Sequence, residues 1–239
     1  MKKTITTLSI FLSVFLLSGC AELQQIASQY PVTGTLGSAD IAAGLKEALN
    51  NGISKQVSKL TATDGFYKNE AVKILLPAEL QKVDKTLRSI GLSSLADEGL
   101  KVLNRAAESA VKEATPIFVD AVRNMTFTDA KNILLGNDNS ATQYLQNSTS
   151  TALYGKFSPV VKTSLDKVGA DKVWAQIITK YNSIPLVNKV NPDLKDYVTN
   201  QALKGVFKMV AVEEKDIRNN LNARTSDLLQ RVFALQDNK

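Results

Sequence analysis

The sequence predicts an all-α fold, an irregular multi-helix bundle with proline-kinked helices behind an N-terminal lipoprotein signal and a flexible tether. Three observations predict it. Apolar residues recur at three- or four-residue steps through most of the chain, the spacing that lines one face of a helix. No window alternates apolar and polar residues between hairpin turns, so nothing reads as a strand. Prolines and glycines punctuate the periodic runs where helices would start and stop.

Taken in order, Ile41, Leu45, Leu49, Ile53, Val57 and Leu60 form the stripe of a helix that begins at Ser38, as its cap, and runs to about Lys59. Gly44 and Gly52 inside it each cost about 1 kcal/mol against alanine, which implies close packing of another element at those points. Residues 61–73 read as a connection. Pro77 suits a first helical position, and Leu80, Val83, Leu87 and Ile90 lead to Gly91 as a left-handed stop. The longest periodic run begins at Ser93 or Ser94. Pro116 lies inside it, so the run kinks or divides near Ala114.

A short helix is expected from Thr128 to Gly136. Asn137-Asp138-Asn139-Ser140 then forms a polar turn and caps a helix that meets Pro159 and stops at Gly169. Residues 171–184 form a further helix carrying Trp174 and Tyr181. Pro192-Asp193 restarts a helix through Leu194, Val198, Ala202, Val206 and Val210, and residues 213–222 carry it over or turn it. The last helix, 223–236, takes Thr225 as cap and buries Leu228, Leu229, Val232 and Phe233.

Ahead of this body, Lys2 and Lys3 precede an apolar run from Ile5 to Leu17, too short to span a bilayer as a resident helix. Leu17-Ser18-Gly19-Cys20 resembles the lipobox of bacterial lipoproteins. The resemblance implies cleavage before Cys20, a diacylglycerol on its thiol and an acylated new terminus. Two chains give stable anchoring where one is marginal. Ala21 stands where an aspartate would favour inner-membrane retention, so the expected destination is the periplasmic face of the outer membrane. The expected division is a signal at 1–19, a lipidated tether at 20–37 and one all-helical domain at 38–239.

Cleavage after residue 19 of 239 leaves 220 residues, enough for a real core. Its one cysteine, committed to lipid, allows no internal disulfide. Without Lys2 and Lys3 the 29 basic side chains become 27 against 23 acidic ones, a net charge of +4 with no basic block. Nothing supports nucleic-acid binding.

There is no histidine. Ser-His-Asp triads, Cys/His dyads and histidine or thiolate metal sites are therefore excluded. Ser-x-x-Lys occurs at Ser109–Lys112 and Ser164–Lys167 without a Lys-Thr-Gly, and no glycine-rich phosphate loop is present. No cofactor and no metal is expected. The remaining candidates are polar: Glu213, Glu214, Asp216, Arg218 and Arg224 within twelve residues, with Glu214 and Arg218 at the i,i+4 spacing of a helical ion pair, and Asp193 with Tyr197 one turn apart. The first group reads as a solvated, salt-laced face. Asp193 reads as a helix cap.

Gly44 to Leu49, residues 71–77, Asn104-Arg105-Ala106-Ala107-Glu108, Asp193-Leu194 with Tyr197-Val198-Thr199, and Glu213-Glu214 with Ile217-Arg218 resemble the bacterial proteins grouped as domain of unknown function 4197. The resemblance covers about residues 38–236. It implies an exported, helical, often lipidated protein and carries no activity, cofactor or catalytic residue. The leading expectation is a non-enzymatic binding or scaffolding module of the cell envelope, held to the membrane through Cys20 and meeting an envelope protein. A second is a carrier of an apolar ligand near Trp174, Tyr181 and Phe207. A third is a hydrolase or cation-dependent enzyme using the C-terminal carboxylates and arginines.

Overall fold

A computed structural model describes residues 36–76, 81, 85, 88, 89, 91, 93–183, 185, 186 and 188–237, and every regular element among them is a helix. The signal, Cys20 and the tether as far as residue 35 lie outside the described residues, as does most of the helix expected at 77–90. Gly91, its expected stop, has φ +84°, the left-handed conformation that glycine adopts without a Cβ penalty. The residues from Gly37 onward form one compact unit.

Helix α1, Ser38–Thr61, carries the predicted stripe inward. Its first turn is closed one residue earlier than expected, where the Gly37 N–H donates to Asp40 Oδ2 at 2.9 Å. Residues 62–76 follow as turns and extended chain. They are pinned by side chains of α2, Ser93–Val111. Asn104 Oδ1 accepts from the Ile74 N–H at 2.8 Å while its Nδ2 donates to the Ile74 carbonyl at 2.9 Å, and Glu108 Oε1 accepts from the Phe66 N–H at 3.1 Å. Buried backbone groups need such partners, and two polar residues supply them inside the core.

The long run divides rather than bends. Helix α2 stops at Val111, and α3, Ala114–Asn124, starts with Pro116 in its first turn, where the missing N–H would have had no intrahelical acceptor. Helix α4, Phe127–Leu134, is capped by Thr126 and Asp129 in a reciprocal box, two residues ahead of the expected Thr128. Helix α5, Ser140–Asp166, continues through Pro159. Its many hydroxyls turn back onto its own carbonyls, as when Thr149 Oγ1 donates to the Leu145 carbonyl at 2.6 Å, so a Ser/Thr-rich helix still buries a face.

Helix α6, Ala170–Asn182, leads to α7, Leu194–Asn219, a single helix whose N-cap Asp193 accepts from the Asp196 N–H at 2.9 Å. A 3-10 turn, Leu221–Ala223, precedes α8, Asp227–Asp237. Ser226 Oγ, not Thr225, accepts from the Leu229 N–H at the start of α8.

Helix α7 is the axis, touching α1, α2, α5 and α6. Its far end meets the start of α5, through Glu214 to Ala141, and its near end meets the middle of α5, through Tyr154 to Asp196. The two helices are antiparallel. Ala106, Ala107, Ala110 and Ala114 are fully buried, and the small side chains of α2 let it approach the axis closely. Phe118 sets its ring edge against Phe207 at 6.0 Å between centroids. Each such buried aromatic or aliphatic side chain contributes about 1.5–3 kcal/mol, and packing of this kind is what holds the domain.

The close approaches expected at both α1 glycines are present. A Cβ on Gly44 would stand 2.7 Å from Val232 of α8, and one on Gly52 would stand 2.9 Å from Glu213 of α7.

Candidate functional site

The second of these approaches opens the site. Helices α1, α7 and α8, with the 3-10 turn, enclose a pocket of about 350 Å³. Its wall is apolar, built by Leu45, Leu49, Ile53, Val210, Leu229 and Phe233. Its rim is polar and holds Asn51, Lys55, Asp216, Asn220, Asn222 and Thr225.

Glu213, Glu214 and Arg218 all line this pocket, but they are not a solvated face. Glu214 and Arg218 are 7% and 6% exposed and form a buried ion pair, Arg218 Nη2 to Glu214 Oε1 at 2.9 Å. The expectation of a surface salt network is corrected here, for a physical reason: the two charges stand at two helix ends. Glu214 accepts from the N–H groups of Ala141 and Thr142, each at 2.8 Å, in the first turn of α5. This replaces the cap expected from residues 137–140, since Asn139 makes no side-chain cap bond. Arg218 donates to the carbonyls of Ile133 and Leu134 at 2.7 and 3.0 Å, where α4 ends. A negative charge at a helix start and a positive charge at a helix end are both favourable against the helix dipole.

The pair is also saturated. Arg218 uses Nε and Nη2 on Glu214, Nη2 on Ile133, and Nη1 on Leu134 and Gln236. Glu214 Oε2 takes a further bond from Thr142 Oγ1 at 2.8 Å. A guanidinium with no free N–H cannot orient a substrate, and a carboxylate whose oxygens are taken by five protein donors has no free lone pair to offer a ligand.

Glu213 has a different role. It accepts from Lys55 Nζ and Gln56 Nε2, each at 2.5 Å, and so fastens α7 to α1 beside Gly52. Gln56 is 2% exposed, and its Oε1 is the one buried side-chain acceptor among the described residues without a donor. Arg224, 2% exposed, lies outside the pocket lining, donating to both carboxylate oxygens of Asp237 and to the carbonyls of Ile217 and Arg218. The hydrogen bond from Arg224 holds the Asp237 carboxyl below its ordinary range.

Asp193 and Tyr197 are not part of this site. Both stand at the opposite end of α7, where Asp193 is the cap and Tyr197 donates to the Leu75 carbonyl at 2.7 Å. The Tyr197 ring stacks on Trp174 at 5.9 Å, and Trp174 Nε1 donates to the Asn191 carbonyl. Trp174 therefore packs rather than lines a cavity. Phe207 borders a separate shallow groove between α5 and α7. The side chain of Tyr181 lies outside the described residues.

Ser109, Ser164 and Lys167 border another groove, between α2 and the end of α5, where Ser164 Oγ donates to the Val160 carbonyl. Among the described residues no three acidic, histidine or cysteine side chains are grouped to hold a metal ion, and no helix is long and apolar enough to cross a membrane.

Sequence reasoning missed Asn51, Lys55, Gln56 and Thr142. Gly52 was the available signal: the close approach it implies is that of α7, and Lys55 and Gln56 stand one turn further along the same helix.

The family described as protein of unknown function (DUF4197) matches residues 35–234, nearly all of the helical domain. The chain belongs to that family. No curated protein and no solved structure matches it. The DUF4197 match spans every residue of the pocket and of the Glu214–Arg218 pair.

Proposed function

We propose that the chain is an envelope lipoprotein, anchored through Cys20 at the periplasmic face of the outer membrane, whose helical domain is a non-enzymatic binding module. The α1–α7–α8 pocket is its binding site. One observation carries this reading: the Glu214–Arg218 pair and the Lys55–Glu213 contact are committed to holding helix ends and helix pairs together, which leaves an apolar cavity whose rim offers the Asn51 and Asn222 amides and the Asp216 carboxylate. Concave apolar cavities with a few polar groups at the mouth are how proteins hold ligands and partner side chains. The apolar-ligand alternative attaches to this same cavity rather than to Trp174 and Phe207.

The anchor rests on the Leu17-Ser18-Gly19-Cys20 stretch and the positive, apolar segment ahead of it. Photo-crosslinking amino acids placed at Asn51 and Asn222 in the native chain test the site in living cells, with Lys156 on α5 as a remote control. The expected result is a discrete adduct from each rim position and none from Lys156, with loss of both when Leu229→Trp fills the cavity. Rim positions that give no adduct, or the same adducts as Lys156, overturn the reading. Cys20→Ala is expected to release the protein from the membrane fraction.

A further inference from the structure

We infer that the α1–α7–α8 pocket takes an apolar side chain presented by a peptide segment with a lysine or arginine beside it; this rests on the binding reading above and names its occupant. The apolar wall alone would suit an acyl tail as well as a leucine, so the rim decides between them.

Two features of the rim point to a peptide. The first is neutral hydrogen bonding. Asn51 on α1 and Asn222 in the 3-10 turn both line the pocket, and neither side-chain amide bonds to a described residue. A primary amide offers donors and an acceptor together, which matches the N–H and C=O of a peptide unit and has no counterpart along an acyl tail. The main-chain groups of an inserted segment would be met where they leave water, which removes the desolvation cost of burying them unpaired. Leu221, 68% exposed, stands between the two lining residues Asn220 and Asn222 and offers an apolar contact outside the cavity.

The second feature is charge. Lys55 is neutralised by Glu213, and Arg218 by Glu214. That leaves Asp216, whose carboxylate accepts from Asn220 Nδ2 at 3.2 Å and has no cation within 4.0 Å among the described residues. The unbalanced charge at the mouth is thus negative. It repels the carboxylate of a fatty acid and the phosphate of a phospholipid, and it attracts an ammonium or guanidinium group carried by a peptide. Charge complementarity therefore favours a basic, leucine-like segment over an anionic amphiphile.

The test uses the full mature chain, purified from membranes and held in phosphatidylcholine nanodiscs. Three diazirine probes are compared: a blocked dipeptide of lysine and photo-leucine, the same dipeptide with glutamate in place of lysine, and a diazirine fatty acid. Adducts are located by peptide mass spectrometry. The lysine dipeptide is expected to label Leu49, Val210 or Leu229 about tenfold more than either other probe, a difference of about 1.4 kcal/mol. Asp216→Lys, at a half-exposed position that packing tolerates, is expected to reverse the order of the two dipeptides. The double variant Asn51→Ala, Asn222→Ala is expected to reduce labelling by both. Equal labelling by the two dipeptides, or stronger labelling by the fatty acid, overturns the peptide assignment and leaves the pocket as a binding site. No labelling by any probe, or labelling that survives Leu229→Trp, overturns the binding reading as well.

Discussion

Arg218 and Glu214 hold α4, α5 and α7 together through eight hydrogen bonds, two of them to each other, and their removal is correspondingly asymmetric. Losing one partner of a buried ion pair costs about 3–5 kcal/mol, because the other charge is left uncompensated. Arg218→Met should therefore destabilise by about that amount, since it also strips the carbonyls of Ile133 and Leu134 of their donor. Glu214→Ala should do the same by opening the first turn of α5. The double variant should lose at least about 1 kcal/mol less than the two single losses added, the signature of residues in one network. Urea unfolding followed by circular dichroism gives all three values, and strict additivity would show that the pair is not coupled. The i,i+4 spacing of these residues was legible in the sequence, but their burial was not. Their helix-end partners lie 72 to 85 residues away along the chain, and only the tertiary arrangement brings those two ends to them.

At the level of elements, the apolar stripes of α1, α2, α7 and α8 were legible because burial of a helix face leaves a 3.6-residue signature. Caps were less so. Thr126, Gly37 and Ser226 begin helices where Thr128, Ser38 and Thr225 were expected, since several adjacent polar residues satisfy the same local rule and the choice between them depends on the helix register. The segment 62–76 has no periodicity of its own, so its path was invisible. It is held from outside by Asn104 and Glu108 of α2, and it inserts its own Phe66 against Gly205 in the middle of α7. A Cβ at Gly205 would stand 2.7 Å from Phe66 Cε1 and 3.3 Å from Val72 Cβ. Helix propensity favours Gly205→Ala by about 1 kcal/mol, whereas overpacking a tight core costs about 1–3 kcal/mol. With Phe66 fully buried the overpacking should win, so Gly205→Ala is expected to lower the thermal midpoint. Adding Phe66→Leu should recover part of the loss, and a midpoint that rises in the single variant would show that the segment shifts without cost.

For the molecule as a whole, the response to pH follows from which groups titrate. There is no histidine, so no side chain of ordinary pKa changes charge between about pH 5 and 8. On the acid side three carboxyls among the described residues are held below their ordinary range in the folded chain. Asp64 is lowered first by its hydrogen bond from Lys68 and further by Arg105, Asp129 by the Thr126 hydroxyl and N–H, and Asp237 by Arg224. A carboxyl whose pKa is depressed on folding binds protons more readily when unfolded. Its contribution is therefore complete above the unfolded value, about 3.9, and is lost as pH falls through the lower folded value. Stability should be level from about pH 5 to 7.5 and decline below about pH 4. Because Asp64 joins the 62–76 segment to Arg105 of α2, Asp64→Asn should lower stability at neutral pH and flatten the acid decline, so that wild type and variant converge near pH 2 to 3. Denaturant midpoints measured across that range decide it. Parallel curves that never converge would mean that Asp64 acts through packing alone, and a step near pH 6 would reveal a further buried titrating group.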